Sequence, residues 1–455
     1  MSTPSDRRRS RPDQPALFEV LGDPPASGPP DESARGTPRL RVANREQIVF
    51  RAEPLDALIP EDHPARVVWA YVEGLDLAPL YNPIRSVQRR PGRAPIDPKI
   101  LLALWLYATV EGVAGARQLD GLCRDHAAFR WLVGDVSTNY HTLADFRTDH
   151  PALLDDLLTR SVATLMAEDL IDLNRAAQDG MRVRASAGAA SFRRRPTLDG
   201  APIQAEAQVE ALRAEAQQEP AAASGRREAA RRRAARDRAE RIKAALARLP
   251  ELEAKKKAGE AEKARCSTTD AEATVMKMAD GGFRPAYNFQ FATDTAGQVI
   301  VGVEVITVGS DAGQLAPMVA QIEGRSGVFP PEYLVDGGFA QHDQIEAVSG
   351  PEVGCTVYAP VPVPRDPKVD RHEPKAGDSE AVAEWRRRMA TPEAKAIYKD
   401  RAATAECVNA LARGRGLTHL LVRGLAKVKA VALWHALAHN LVRMAALRAA
   451  AAGAA

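Results

Sequence analysis

The stretch from Phe283 to Val308 constrains this chain more than any other. Residues Phe283 to Asp294 (FRPAYNFQFATD) and Gln298 to Val308 (QVIVGVEVITV) are rich in β-branched and aromatic side chains, and Thr295-Ala296-Gly297 between them supplies a turn. Two such runs joined by a turn predict a β-hairpin. Upstream, Asn174 to Ala185 (NRAAQDGMRVRA) sets Val and Met in alternation with Arg, which predicts a strand. Downstream, a helix is predicted from about Ala312 to Glu323, and Glu332 to Asp336 is a short buried-type strand ending in a carboxylate and followed at once by Gly337 and Gly338. Cys355 to Val363 is a further apolar strand candidate, and from about Ser379 the pattern returns to helix. Strands and helices in this order predict an α/β domain over residues 171–445.

On either side of the first strand the pattern is helical. Residues 48–170 hold short helices, with Pro98 at a first-turn position after Asp97, a second helix over Ala116 to Arg124, and a polar, basic helix opening at the cap-like Ser137-Thr138-Asn139 and running to Arg147. Short helices joined by tight turns suit a helix-turn-helix reader of DNA, and equally a plain helical bundle. Residues 202–265 are dominated by Ala, Arg, Glu and Lys, with few breakers apart from Pro220 and Gly225, and interrupt the α/β domain as a long helix pair with a thin apolar stripe. Residues 1–47 are rich in Pro, Arg, Ser and Asp and read as a disordered basic leader, and 446–455 as an Ala-rich tail.

A chain of 455 residues is long enough for two or three domains of about 150 residues. No run approaches the ~20 apolar residues of a membrane span, and the first residues lack the apolar core of a secretory signal. The expected location is therefore the cytoplasm, in association with the nucleoid. The net charge of +3 does not announce a nucleic-acid partner, but arginines cluster at Arg7 to Arg9, Arg193 to Arg195 and Arg231 to Arg233, where they can meet phosphates or simply face water. The four cysteines form no CxxC pair, so neither a zinc site nor a disulfide framework is indicated. His435 and His439 have ligand-like spacing, but their neighbours Leu433, Trp434, Leu437 and Leu441 mark them as packed core residues.

The strand order has one chemical implication. Asp179 lies within the first strand and Asp336 ends a later one, so neighbouring strands would bring both carboxylates to one site, with Glu406 placed to join them from a later helix. Hard oxygen ligands of this kind hold divalent cations, and two such ions suffice for phosphodiester cleavage.

These residues also resemble a known family, the insertion-sequence transposases of the DDE class. Gln178 to Ala187 (QDGMRVRASA) looks like the family's first-aspartate strand, and Leu334 to Phe339 (LVDGGF) like its second-aspartate block. Tyr398, Arg401, Glu406 and Arg413 resemble its Tyr-Arg-Glu-Lys signature, with Arg where the family has Lys. Ser267 to Asp270, Met276-Lys277 and Gly281 to Asn288 look like the block before its second strand, and Asp97 to Arg147 is similar to its N-terminal helical domain.

The resemblance implies a ribonuclease H-like mixed sheet with flanking helices, an N-terminal all-helical DNA-binding domain and a helical insertion. It implies two Mg²⁺ ions, with Mn²⁺ as a substitute, on Asp179, Asp336 and Glu406. Transposon terminal repeats and target DNA would be the substrates, with cleavage followed by transfer of a 3′-hydroxyl, in a homodimer or higher oligomer. Tyr398, Arg401, Arg413, Arg423 and Lys427 would then meet the DNA. Two other readings suit the same residues: a noncatalytic DNA-binding protein derived from such an enzyme, and a ribonuclease H-like nuclease that cuts without joining.

Overall fold

The computed structural model describes residue 46 and residues 52–86, 94–218 and 226–454. The predicted leader, with Arg7 to Arg9, lies outside the described residues except for Glu46, as do Pro220 and Gly225. Helices α1 (Pro64–Glu73), α2 (Ala78–Tyr81), α3 (Pro98–Val110), α4 (Ala116–Asp125), α5 (Ala127–Val133), α6 (Tyr140–Asp149) and α7 (Pro151–Ala167) make up the N-terminal part. Helix α3 starts where the sequence predicts: Asp97 accepts a hydrogen bond from the Lys99 amide, and Pro98 fills the first turn. From Pro98 to Thr109 every side chain but Lys99 is buried, which is the fate of a helix apolar all round.

Helix α6 differs from the expectation of a polar, basic helix. Its one arginine, Arg147, is buried, stacks over the Trp105 ring at 4.7 Å and donates to the Ala114 carbonyl. Burial lowers the Arg147 pKa to about 10. The Trp105 indole donates to the Leu143 carbonyl and the Trp434 indole to the Arg147 carbonyl, so α6 is clamped from two sides. Its exposed positions carry His141, Ala144, Asp145 and Asp149, with no Arg or Lys among them. Arg147 is basic in the sequence but is spent on tertiary packing.

The next elements are β1 (Arg175–Arg184), β2 (Phe192–Arg193), α8 (Arg195–Gln218), α9 (Arg226–Ala254), β3 (Cys266–Ser267), β4 (Thr274–Lys277), β5 (Phe283–Asp294), β6 (Ile300–Ile306) and α10 (Leu315–Ser326). They are followed by β7 (Glu332–Leu334), α11 (His342–Ser349), β8 (Thr356–Tyr358), α12 (Glu380–Ala390), α13 (Pro392–Arg401), a π-helical turn over Ala402–Glu406, α14 (Cys407–Gly414) and α15 (Leu425–Ala454). The residues set apart as an Ala-rich tail are, up to Ala454, the last turns of α15.

The fold is a mixed α/β one. The main sheet runs β4-β5-β1-β7-β8, with β6 also on β5. The expected hairpin is present: β5 pairs antiparallel with β6 and, on its other side, with β1, whereas β7 lies parallel to β1 and β8 parallel to β7. Strand β8 stops at Tyr358, short of the predicted Val363, because Pro360, Pro362 and Pro364 follow and cannot donate to a ladder. Asn440 of α15 closes β6 by pairing its side-chain amide with both the N–H and the C=O of Ile300, each at 2.8 Å.

Apolar clusters cover the sheet. One joins Met181, Phe289, Phe291 and Val303 to Trp434 and Leu437 of α15 and onward to Leu104 and Trp105 of α3. The N-terminal helices and the sheet thus share one core, with α15 as the layer between. The other joins Val301, Tyr333, Leu334 and Val357 to Met318, Ile322 and Trp385 of the helices α10 and α12. His435 and His439 are buried as predicted, and burial holds their pKa values down to about 3 and about 4.

The insertion is a helix pair. Helix α8 packs on α9 through Leu198, Ala205, Ile242, Ala245 and Leu249, and charges pair at helical spacing, as in Arg213–Glu210 and Lys255–Glu251. It begins at Arg195, earlier than the sequence boundary of 202. Among the described residues no helix is long and apolar enough to cross a membrane.

Candidate functional site

Asp179 and Asp336 meet because of strand register. In the parallel pair β1–β7, Ala177 stands opposite Leu334. Asp179 and Asp336 are each two residues beyond that pair, at the carboxyl end of β7, where the chain turns away through Gly337 and Gly338. Beyond this point, among the described residues, β1 pairs with no strand on its β7 side until the Arg184–His419 bridge, which leaves a gap in the sheet past the end of β7. Crevices of this kind, at the carboxyl ends of parallel strands, are where α/β sheets bind ligands. Asp336 is held in its turn by the Gly338 amide, which donates to Oδ1 at 2.7 Å.

Glu406 arrives from the π-helical turn. In a regular α-helix, residues five apart lie about 140° apart around the axis. The wider π turn from Ala402 to Glu406 brings Arg401 and Glu406 to one side instead, and such turns are frequent at functional sites. The Arg401 guanidinium donates to Glu406 Oε1 at 2.6 Å and to Asp179 Oδ1 at 2.9 Å. Asn409, on the first turn of α14, donates to the other oxygen of Asp179 at 2.9 Å.

The electrostatics follow from this geometry. Burial raises the Asp179 pKa above its ordinary value and Asp336 adds to the rise, while Arg401 and Asn409 oppose it. For Arg401, burial works against the charge, but Asp179, Tyr398, Asp336 and Glu406 outweigh it and hold the guanidinium above its ordinary value. Tyr398 is half-buried, and burial, with Asp336 and Glu406, raises its pKa, so the phenol stays neutral. One cation therefore sits among three carboxylates. Among the described residues no group of three or more Asp, Glu, His or Cys side chains is drawn together as a metal cage; the Arg401 side chain spans Asp179 and Glu406 instead.

The remaining predicted residues divide. Arg413 is exposed and lines a groove with Gly180, Arg182 and Arg184, a wall that includes none of the three acids. Arg423 lines its continuation and donates to the Ser186 carbonyl at 3.2 Å. Lys427 is exposed on the first turn of α15 and is not among the groove-lining residues. Lys429 beside it is engaged with Glu304 at 2.9 Å.

Sequence reasoning missed a polar cluster on the other face of β1. Buried Asp311 accepts from Asn288 and Gln290, each at 2.7 Å, and pairs with Arg182 at 3.2 Å. Gln178 donates to Gln290 and accepts from Tyr333. The cluster presses so closely on β1 that a Cβ at Gly180 would lie 2.1 Å from Asp311 Oδ1. The alternation Asn288-Phe289-Gln290-Phe291 was its one sequence signal; Asn409, three residues after Glu406, had none beyond helical spacing.

Residues 53–149, from before α1 to the end of α6, match the family model described as Transposase domain (DUF772). Residues 359–445, which include Tyr398, Arg401, Glu406 and Arg413, match the model described as Transposase DDE domain. No curated protein and no solved structure matches the chain. The two family matches, one on each side of the strands that carry Asp179 and Asp336, support a transposase of the DDE type.

Proposed function

We propose that the protein is a DNA transposase that cuts transposon ends and joins the freed 3′-hydroxyl to target DNA, with Asp179, Asp336 and Glu406 as its metal-binding acids. The observation that carries this reading is the convergence of Asp179 and Glu406 on one guanidinium, with Asp336 close enough to act on the same charges. The strand order supports a ribonuclease H-like sheet: a central β1, an antiparallel hairpin on one side and two parallel strands on the other.

The donor set suits a hard divalent cation such as Mg²⁺ or Mn²⁺. It consists of carboxylates only, it already holds a positive charge, and the buried Asn409 Oδ1 beside it has no hydrogen-bond partner. When bound, the cation would activate the attacking oxygen and stabilise the leaving one. The chain's own residues do the rest. Asn409 fixes the Asp179 carboxylate, and the Gly338 amide fixes Asp336. Arg401, once released from Asp179 and Glu406, is a planar donor suited to a phosphate, and Arg413 offers a second on the groove wall. Neutral Tyr398 can donate a hydrogen bond there but is not a base.

The test is a strand-cleavage and joining assay with purified protein, Mg²⁺ and duplexes carrying the element's flanking repeats. Wild type is expected to cut and join, and Asp336→Asn to bind the same duplex without either reaction. Equal cleavage by both proteins would remove Asp336 from the site, and binding without cleavage by wild type would favour a noncatalytic DNA binder.

A further inference from the structure

A groove starts at Gly180, the residue after Asp179, on the face of β1 that carries Arg182 and Arg184. It follows β1 as a space of about 310 Å³ lined by Arg182, Arg184, Arg284 and Arg413. It then continues past Arg184 and Arg284 into a second space of about 540 Å³, where His419 and Arg423 form part of the wall. Five guanidiniums face two paired carboxylates along this path: Arg284 is held by Asp280 at 2.7 Å and Arg182 by Asp311 at 3.2 Å. Arg184 and Arg413 are exposed and have no carboxylate partner among the described residues. The outer space is also lined by Phe283, which opens β5 and is 70% exposed. This phenyl ring, left in water at the mouth of an arginine-lined groove, is outside the cores in or against which Phe129, Phe146, Phe289, Phe291, Phe329 and Phe339 pack.

The two spaces fall within the roughly 300–1,000 Å³ of sites that take drug-sized ligands. That suits the phosphate, sugar and base of one nucleotide at a time, and not a duplex. In a duplex, moreover, the base faces are already stacked on one another. Grooves that hold single strands combine a cationic track with aromatic side chains on which bases stack. We propose that this groove holds the unpaired nucleotides of one DNA strand along β1 from Gly180 outwards, with Phe283 stacked on a base at its outer end and Arg184, Arg284 and Arg413 facing the phosphates. The inference rests on the reading of the three acids as a DNA site and adds which form of DNA occupies this groove.

The experiment compares binding of the full-length chain to a blunt duplex and to the same duplex with a short 5′ or 3′ single-stranded tail containing 2-aminopurine. Fluorescence anisotropy reads affinity and the 2-aminopurine signal reads stacking. Wild type is expected to prefer one tailed duplex and to quench its fluorophore. Phe283→Ala should weaken that duplex about ten-fold, within the range of one base stacked on an aromatic ring, and abolish the quenching. Its blunt-duplex affinity should be unchanged, and Phe283→Trp should restore both signals. Arg184→Gln should flatten the dependence of log affinity on log salt by about 0.7 for the tailed substrate, a slope that Phe283→Ala leaves alone. Equal affinity of wild type for tailed and blunt duplexes overturns the inference while leaving the DNA-site reading standing. So does a change of mass in light scattering on Phe283→Ala without a change in tail preference, which would assign the ring to a contact between two copies of the chain. Absence of binding to any duplex overturns both readings.

Discussion

Arg401→Gln isolates the cation that sits among the three acids. In the folded chain the Arg401 side chain is 10% exposed and Asp179 19%, with 2.9 Å between them; Glu406, at 2.6 Å, is 53% exposed. Removing one partner of a buried pair costs about 3–5 kcal/mol. Asp179 keeps the Asn409 hydrogen bond and part of its hydration, which lowers the expected loss at neutral pH to about 2–3 kcal/mol. The half-exposed Glu406 contact adds less than about 1 kcal/mol. The sign with pH follows from the raised Asp179 pKa. A raised carboxylate contributes stability that is full below its unfolded pKa of about 3.9 and lost as pH rises through the folded value. Arg401→Gln raises that pKa further, so the deficit should grow from acid to neutral pH and shrink again below about pH 4. With the acids as metal ligands, as proposed, the variant would also lack the cation that a divalent ion has to displace. Urea unfolding with and without Mg²⁺ or Mn²⁺ should therefore show a less stable metal-free protein and a larger metal-induced gain than in wild type. Equal metal-free stability of the two proteins, with equal gains on adding metal, would refute the assignment of Arg401 as the counter-charge of these acids.

Two further outcomes follow from packing and burial. Gly180→Ala places a Cβ 2.1 Å from Asp311 Oδ1 and 2.7 Å from Gln290 Nε2; overpacking of this kind costs about 1–3 kcal/mol and should shift Asp179, so urea midpoints and cleavage should both fall, while the control Gly188→Ala, which meets no atom within 4 Å, should leave the urea midpoint unchanged. His439, whose pKa is held down to about 4, contributes stability that is present above about pH 6.5 and lost as pH falls towards the folded value; His439→Gln should remove about 2 kcal/mol of the loss between pH 6.5 and 5 in urea titrations, and an unchanged pH slope would show that the imidazole is already charged in the folded protein.

Much of the fold was legible because its elements carry strong local patterns. Alternation marked β1, the hairpin of β5 and β6 announced itself by β-branched runs around Thr295-Ala296-Gly297, and Asp97-Pro98 marked the start of α3. The misreadings have a common origin in contacts between distant residues. Arg147 reads as a surface cation until Trp105 and Ala114 are seen to receive it. Asp311 reads as one acid among many until Asn288 and Gln290 are seen to converge on it. The turn Ala402–Glu406 has no Gly or Pro to betray a departure from the α-helix, so only the resemblance, and not the local pattern, singled out Arg401 together with Glu406.

The arrangement at β1 also explains why the acids need Arg401 at all. Parallel register delivers Asp179 and Asp336 to the end of β7, where burial and the neighbouring Asp336 charge raise the cost of ionising Asp179. A third carboxylate brought in by an ordinary helix would add to that cost with nothing to offset it. The π turn delivers Glu406 and a guanidinium together, so the acid comes with its own counter-charge. Arg401 thus offsets the negative charge of Asp179 and Glu406 within the chain itself. If the acids hold a metal as proposed, the same contact sets a threshold: an incoming divalent ion would have to take Asp179 and Glu406 from Arg401, and a phosphate would be the natural acceptor for the guanidinium it releases. Metal and DNA would on this argument bind with mutual reinforcement, each making room for the other through one side chain.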